Sequence, residues 1–205
     1  MKRFNIAIAG LGGQGIITAG TILKNAALNS ELHDVSGSER RGGAQREGYV
    51  EALVKYIFYD SLDELKDPRK NVHSPVIQAG GADVLISLEP IETLRAAYYI
   101  NSRSTVIFST SPHLPISVRM KKDTYPAIEE IVKELAIITP KIYYYDFNKL
   151  SIDNFGFLTP RNILALGVLF SKTGIPIEKE IVEDILAKGS QSENNLKAFY
   201  LGLTL

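Results

Sequence analysis

The 205-residue chain contains no cysteine. It therefore cannot ligate an iron–sulfur cluster through thiolates, form a disulfide or use a thiol nucleophile, and any such centre must belong to another chain. Its three histidines, His33, His73 and His113, lie far apart in the sequence and lack zinc-type spacing with neighbouring acidic residues. The sequence consequently predicts no metal site.

An excess of charge and long apolar runs are also missing. The 23 lysines and arginines balance the 23 aspartates and glutamates, which removes the long-range attraction that nucleic-acid and membrane-surface binders use. No apolar run approaches the roughly 20 residues of a membrane span. Lys2 and Arg3 lead into a strand rather than into a signal-peptide core. We expect a cytoplasmic protein with neither nucleic acid nor membrane as a partner.

The length and the 45% apolar content suffice for a well-buried core and favour one domain over residues 1–205. Periodic and continuous apolar patterns alternate along the chain, as strands and helices do in a parallel sheet. After the first strand, strands are predicted at 32–35, 49–59, 82–88, 105–108 and 142–145, helices at 15–29, 89–100, 128–135, 160–174, 177–188 and 194–203, a helical turn at 62–66 and an exposed connection at 66–71.

This order of elements predicts an α/β fold, namely a Rossmann-like three-layer sandwich with a mostly parallel sheet. In such sheets ligands bind at the carboxyl ends of the strands. Five segments are expected to meet at that edge: 10–15, 36–48, 89–90, 109–111 and residue 146.

A glycine turn follows the first strand. Gly10, Gly12 and Gly15 satisfy the spacing G-x-G-x-x-G directly between a strand and a helix. Such a turn can bind phosphate through backbone N–H groups and the positive end of the helix. It can equally be a turn that packs strand on helix or meets another subunit. The candidate cofactor-binding residues here are Gly10, Gly12, Gly13, Gln14 and Gly15.

The sequence argues against two common ligands of such a turn, a nucleoside triphosphate and a nicotinamide dinucleotide. A triphosphate-binding P-loop is excluded because Ile16 and Ile17 follow Gly15, where that motif needs a lysine and a hydroxyl residue. For a nicotinamide dinucleotide, the acidic residue that binds the ribose would have to be Asp34 or Glu39. Neither lies cleanly at the end of a predicted second strand.

A second candidate segment, residues 36–48, combines three arginines with four glycines. We predict it to be a loop at the ligand edge, where glycine N–H groups and guanidinium groups would order around an anion or a partner; the alternative is an ordinary surface loop. Glu89 precedes Pro90 at a helix start, which favours capping over a general-base role. The candidate residues of the loop are Arg40, Arg41, Gly42 and Gly43.

Three stretches together are far more specific than the glycine turn alone: residues 10–16, residues 38–50 with Ser-Glu, Ala-Gln-Arg, Gly and Val, and residues 82–95 with Ala-Asp-Val-Leu, Glu-Pro-Ile-Glu and Leu-Arg. They resemble the gamma-type subunits of 2-oxoacid:ferredoxin oxidoreductases, most closely the indolepyruvate type. The likeness covers nearly the whole chain.

The resemblance implies an enzyme of several chains. A larger partner subunit would carry thiamine diphosphate, magnesium and iron–sulfur clusters, coenzyme A would accept the acyl group, and ferredoxin would take electrons through the complex. This chain would bind none of the main cofactors and would be inactive alone. Its glycine turn and arginines would contact the partner or an anion such as the coenzyme A phosphates.

The motif residues that bear on the identity of the 2-oxoacid point in two directions. Where the indolepyruvate type usually has His-Gly-Met and then Arg-Gly-Gly, this chain has Arg-Gly-Gly at 41–43 and Arg-Glu-Gly at 46–48, which leans toward the pyruvate and 2-oxoglutarate enzymes. An aryl pyruvate such as indolepyruvate is expected. The competing interpretations are an isolated paralogue without a partner, a free-standing nucleotide- or dinucleotide-binding module and a structural homo-oligomer.

Overall fold

A computed structural model describes residues 2–30, 34–43, 48–59, 74–189 and 191–205, without the side chain of Ile116. His33, His73, the predicted helical turn at 62–66 and the predicted connection at 66–71 lie outside these ranges.

Six strands in the described residues form one sheet in the order β2-β3-β1-β4-β5-β6. The pairs β1–β4, β4–β5 and β5–β6 are parallel, whereas β3 runs antiparallel to both β1 and β2. Five of these six strands therefore point the same way. Their bounds are β1 Lys2–Leu11, β2 Asp34–Arg41, β3 Tyr49–Phe58, β4 Val84–Ser87, β5 Thr105–Ser109 and β6 Ile142–Tyr145.

Strand β2 corrects the sequence-based prediction of a short strand at 32–35 followed by a loop over 36–48. Residues 36–41 continue the strand, because each pairs with a residue of β3 from Lys55 to Val50. At Gly37 an added Cβ would lie 2.2 Å from the Leu53 backbone oxygen, so the missing side chain permits this pairing. Serine, glycine and charged residues have low strand propensity on their own, and pairing with the buried strand overrides it.

Eight helices are described. The helix α5 was not predicted: the Asp146 side chain accepts the Lys149 N–H at 2.8 Å at its start, and Gly156 follows it with a left-handed φ of 80°. The short helix α3 was also not predicted. The bounds are α1 Ile16–Leu28, α2 Pro90–Ala96 with a following 3-10 turn Ala97–Tyr99, α3 Ile116–Arg119, α4 Ile128–Ala136, α5 Phe147–Phe155, α6 Arg161–Lys172, α7 Lys179–Ala187 and α8 Ser192–Leu203.

Helix α6 begins at Arg161, one residue later than the predicted start at residue 160, and Pro160 precedes its first helical residue. None of the described helices has the length and apolar character that crossing a bilayer requires.

Alternating residues of β1 contribute to two separate cores. Ile6 and Ile8 pack with α1, α6, α7 and α8 on one face of the sheet. Ala7 and Ala9 pack with α2 and α4 on the other face. Successive side chains of a strand point to opposite faces, so the sheet lies between two helical layers. The predicted three-layer α/β sandwich with a mostly parallel sheet is confirmed.

Candidate functional site

The carboxyl ends of the five co-directional strands lie along one edge of the sheet. At this edge, three cavities of about 640, 320 and 270 Å³ adjoin the glycine turn that follows β1. The topology thus puts a cluster of cavities where ligands bind in open α/β sheets.

The cavity of about 640 Å³, here called the Arg41 cleft, combines the two segments that the sequence analysis singled out. Its walls are the glycine turn, the first turn of α1, the end of β2 and the start of β3. Six of the nine predicted site residues line it, whereas the other three, Gly10, Gln14 and Arg40, are held by different contacts. The six are Gly12, Gly13, Gly15, Arg41, Gly42 and Gly43.

The glycine turn needs left-handed backbone at two positions, because Gly13 and Gly15 have φ values of 89° and 82°. Within the turn the Gly12 N–H donates to Gly48 O at 2.9 Å, and the Gln14 N–H donates to Leu11 O at 3.1 Å. These two N–H groups are therefore engaged by the protein and do not form part of an anion nest.

The first turn of α1 supplies positive potential to the Arg41 cleft. Ile16, Ile17 and Thr18 line the cleft, and this turn has neither an acidic residue nor a side-chain cap. The first N–H groups of a helix have no acceptor within the helix, and the helix dipole places partial positive charge there. Together with the Arg41 guanidinium group, this end of the helix makes the cleft suited to an anion.

The Gln14 side chain stabilises the glycine turn through two hydrogen bonds. It is only 8% exposed, its Oε1 accepts the Leu11 N–H at 2.8 Å, and its Nε2 donates to Leu88 O at 3.1 Å. A Cβ on Gly10 would lie 2.6 Å from the same Oε1 atom. Gln14 therefore joins the turn to the residue that follows β4, and the missing side chain of Gly10 leaves room for it.

Arg40 faces a buried carboxylate. Its Nε lies 3.2 Å from Oε1 of Glu51, which is 6% exposed and accepts hydrogen bonds from the hydroxyls of Tyr49 at 2.6 Å and Tyr99 at 3.2 Å. The Glu51 charge raises the pKa of Arg40, and burial followed by contact with Glu51 raises the pKa of both Tyr49 and Tyr99. The guanidinium group thus stays charged and the phenols stay protonated donors. Of the two neighbouring arginines, Arg40 stabilises the strands and Arg41 lines the cleft.

The capping role predicted for Glu89 is confirmed. The carboxylate, 2% exposed, accepts the Glu92 N–H at 3.0 Å on Oε2. Its Oε1 accepts the His113 N–H at 3.1 Å and the Tyr125 hydroxyl at 2.5 Å. The Glu89 side chain thereby holds His113 and Tyr125, both in the segment after β5, against the start of α2.

Glu92 is the second buried carboxylate of this helix, at 3% exposed. Its Oε1 pairs with the Arg95 guanidinium at 2.5 Å, while Oε2 has no hydrogen-bond partner among the described residues. Burial is the main cause that raises the pKa of Glu92, with a further contribution from Glu89, and Arg95 only partly opposes it.

Two polar residues at the glycine turn were not predicted from the sequence. Arg161 donates through Nη2 to Gly13 O at 3.0 Å, and the Asn162 amide donates to Gly15 O at 3.2 Å. The available signal was a helix start after Pro160. Nothing local indicates that this helix reaches a turn some 148 residues earlier in the chain, so only the tertiary structure reveals the contact.

The geometry needed for nicotinamide dinucleotide binding is not formed by the described strands. In that fold the ribose-binding acidic residue ends the parallel strand beside the first strand. Here the neighbour of β1 on that side is the reversed strand β3. Asp34 lies at the start of β2, and Glu39 pairs with Lys24 at 2.7 Å.

Metal ligands are not assembled within the described ranges, where no group of three histidine, aspartate or glutamate side chains is close enough to hold an ion. Since the chain has no cysteine, its residues do not fit an iron–sulfur cluster either.

Known proteins resemble this chain over its whole length. Residues 5–205 match the family model described as pyruvate ferredoxin/flavodoxin oxidoreductase. Indolepyruvate oxidoreductase subunit IorB of Archaeoglobus fulgidus is 34% identical, with 98% of this chain and 94% of that protein covered. The corresponding subunit of Pyrococcus horikoshii is 33% identical, with 99% and 96% covered.

A solved structure shows the same fold. The gamma subunit of a keto/oxoacid ferredoxin oxidoreductase from Geobacter sulfurreducens superposes with a TM-score of 0.66 at 19% identity, covering 100% of this chain and 96% of that one. The class is thus a gamma-type subunit of a 2-oxoacid:ferredoxin oxidoreductase. The chain belongs to the pyruvate ferredoxin/flavodoxin oxidoreductase family. The resemblance stated from the sequence is confirmed.

Proposed function

We propose that this chain is the cluster-free subunit of an enzyme that oxidatively decarboxylates an aryl pyruvate, such as indolepyruvate. The 2-oxoacid anion and coenzyme A give acyl-coenzyme A, carbon dioxide and one proton, and the two electrons released reduce ferredoxin. The observation that carries the proposal is the full-length similarity, at 34% and 33% identity, to subunits named for indolepyruvate.

The composition supports a division of labour between subunits. Since the chain has no cysteine, the iron–sulfur clusters are assigned to a larger catalytic subunit, and thiamine diphosphate with its magnesium ion is assigned there too. This chain, a single domain, binds that partner and contributes the walls of a ligand site. It is inactive alone and meets ferredoxin only through the complex.

The Arg41 cleft is the place where this chain would contact a ligand. Arg41 and the N–H groups at the start of α1 present positive charge to a volume of about 640 Å³. A guanidinium group and a helix start are complementary to phosphate. We assign the cleft to the phosphates of coenzyme A.

The function is tested by producing the chain together with its larger subunit and assaying the anaerobic complex with ferredoxin and coenzyme A. We expect kcat/KM to be highest for indolepyruvate within a panel that includes phenylpyruvate, pyruvate and 2-oxoglutarate, and we expect each subunit alone to be inactive. Preference for pyruvate or 2-oxoglutarate would overturn the substrate assignment. Tight binding of a dinucleotide by this chain without a partner would favour the nucleotide-binding module.

The assignment of the cleft predicts different effects for two adjacent arginines. In the complex, Arg41→Ala should raise the KM for coenzyme A by about tenfold or more while kcat stays within about twofold, because one charge-assisted contact contributes about 1.5–3 kcal/mol. Arg40→Ala is the matched control. It should lower the unfolding midpoint, since Glu51 loses its cation, yet leave that KM nearly unchanged. Equal effects of the two variants on KM would contradict the assignment.

A further inference from the structure

Arg161 is a half-buried cation whose described partners are all neutral. Its Nη2 donates to Gly13 O at 3.0 Å and its Nη1 donates to Asn148 Oδ1 at 3.1 Å. Burial lowers its pKa, and no neighbouring acidic group opposes this shift. A desolvated guanidinium group without a counter-charge is costly, so its placement requires an explanation.

Arg161 also borders open space that contains no acidic side chain among the described residues. It lines two cavities, of about 320 and 270 Å³. Neither has an aspartate or glutamate among its described lining residues. The smaller cavity instead presents the polar side chains of Ser111, His113 and Asn148 together with Gly12 and Gly13 of the turn. Its volume exceeds the roughly 30 Å³ of a single water, so a small anionic group fits there.

The smaller Arg161 cavity and the Arg41 cleft lie on opposite sides of β1 in the order of the strands. Arg41 ends β2, on the β3 side of β1, whereas Ser111 and Asn148 follow β5 and β6 on the β4 side. The glycine turn lies between them, because Gly12 and Gly13 line both the cleft and the smaller Arg161 cavity. The turn therefore has an arginine on each flank.

We propose that Arg161 anchors a second oxyanion site, on the opposite flank of the glycine turn from the Arg41 cleft, which binds the carboxylate or phosphate group of a small ligand. A guanidinium group has five N–H donors, and two are accounted for by Gly13 and Asn148. The remaining guanidinium donors are suited to a planar carboxylate or to phosphate oxygens, whereas the Ser111 hydroxyl already donates to Asp146 Oδ1. This site does not depend on the proposed function.

The test uses the full-length chain, labelled with ¹⁵N and titrated separately with inorganic phosphate and with acetate at constant ionic strength. We expect at least one of the two anions to shift the Arg161 Nε–H and Asn148 side-chain amide resonances in a saturable manner. The anion that binds more tightly distinguishes a phosphate from a carboxylate ligand. Arg161→Gln should weaken that binding at least tenfold, whereas Arg103→Gln, an exposed arginine remote from the turn in sequence, should leave it unchanged.

Arg161 also braces the turn, so stability alone does not answer the question. A purely structural role would lower the unfolding temperature of Arg161→Gln but preserve the increment that the anion adds to it. The proposal is overturned if this increment is unchanged, or if neither anion binds wild-type protein at this site. It is likewise overturned if Arg161→Gln loses only its affinity for the partner subunit, since the site would then hold a protein carboxylate.

The two anion sites are distinguishable in the same titration. Arg41→Gln should abolish shifts around Ile16 and Gly42 and leave those of Asn148 intact. If the anion shifts the resonances at only one of the two sites in the wild-type protein, the assignment of the other site has failed.

Discussion

Replacing Gly167 with alanine should destabilise the protein by about 3 kcal/mol or more, the upper end of the cost of overpacking. Gly167 of α6 crosses Gly202 of α8 in close contact. A Cβ on Gly167 would lie 2.3 Å from Phe199 O and 2.7 Å from the Gly202 Cα. Both are backbone atoms and cannot move aside by changing rotamer, so the two helices would have to separate. Urea unfolding of the isolated chain measures the loss.

Gly174 is the matched control for this substitution. It lies just beyond the same helix, and an added Cβ there would meet no heavy atom within 4 Å. Gly174→Ala should change the free energy of unfolding by less than about 1 kcal/mol, in the stabilising direction through the unfolded chain. If Gly167→Ala matched this control, the close crossing of α6 and α8 would be disproved.

Replacing Glu89 with alanine should cost about 3 kcal/mol or more, because hydrogen bonds to a buried charge contribute about 1.5–3 kcal/mol each. Three donors lose their acceptor: the N–H groups of Glu92 and His113 and the hydroxyl of Tyr125. The start of α2 and the segment after β5 should loosen together. Chemical denaturation gives the cost, and limited proteolysis between residues 113 and 125 should report faster cleavage.

Tyr125→Phe separates one of these bonds from the rest. It removes the hydroxyl that donates to Glu89 Oε1 and keeps the ring, so the expected cost is about 1.5–2 kcal/mol, the lower part of the range for one such bond. Equal losses in Glu89→Ala and Tyr125→Phe would mean that the other two bonds contribute nothing. Because His113 also lines the smaller Arg161 cavity, Glu89→Ala should further weaken oxyanion binding there, whereas Tyr125→Phe should do so less.

The elements with strong local patterns were predictable. Strand β6, at Ile142–Tyr145, has the predicted bounds, and the helix at Ile128–Ala136 agrees closely with the apolar positions 128, 131, 132 and 135. Glu89 and Pro90 identified a helix start from residue chemistry alone. In each case the determining contacts lie within a few residues, so a single sequence contains them.

The elements that depend on distant partners were not predictable. Strand β2 forms because polar residues pair with the buried strand β3, and the reversed direction of β3 has no local signal. The same holds for the separation of Arg40, which pairs with Glu51, from Arg41, which lines the cleft. Adjacent side chains of a strand point to opposite faces, but which face carries the cleft depends on the whole sheet.

The sequence by itself determined the α/β class, the glycine turn, the absence of thiolate ligands and, through three specific stretches, the family. These properties follow from residue types and from periodicities that span a few turns or strands. Only the tertiary structure decided that β3 separates β1 from β2 and that Arg161 reaches Gly13. Both depend on how the sheet and its helices pack together, because packing brings together groups far apart in the chain and no short-range pattern encodes it.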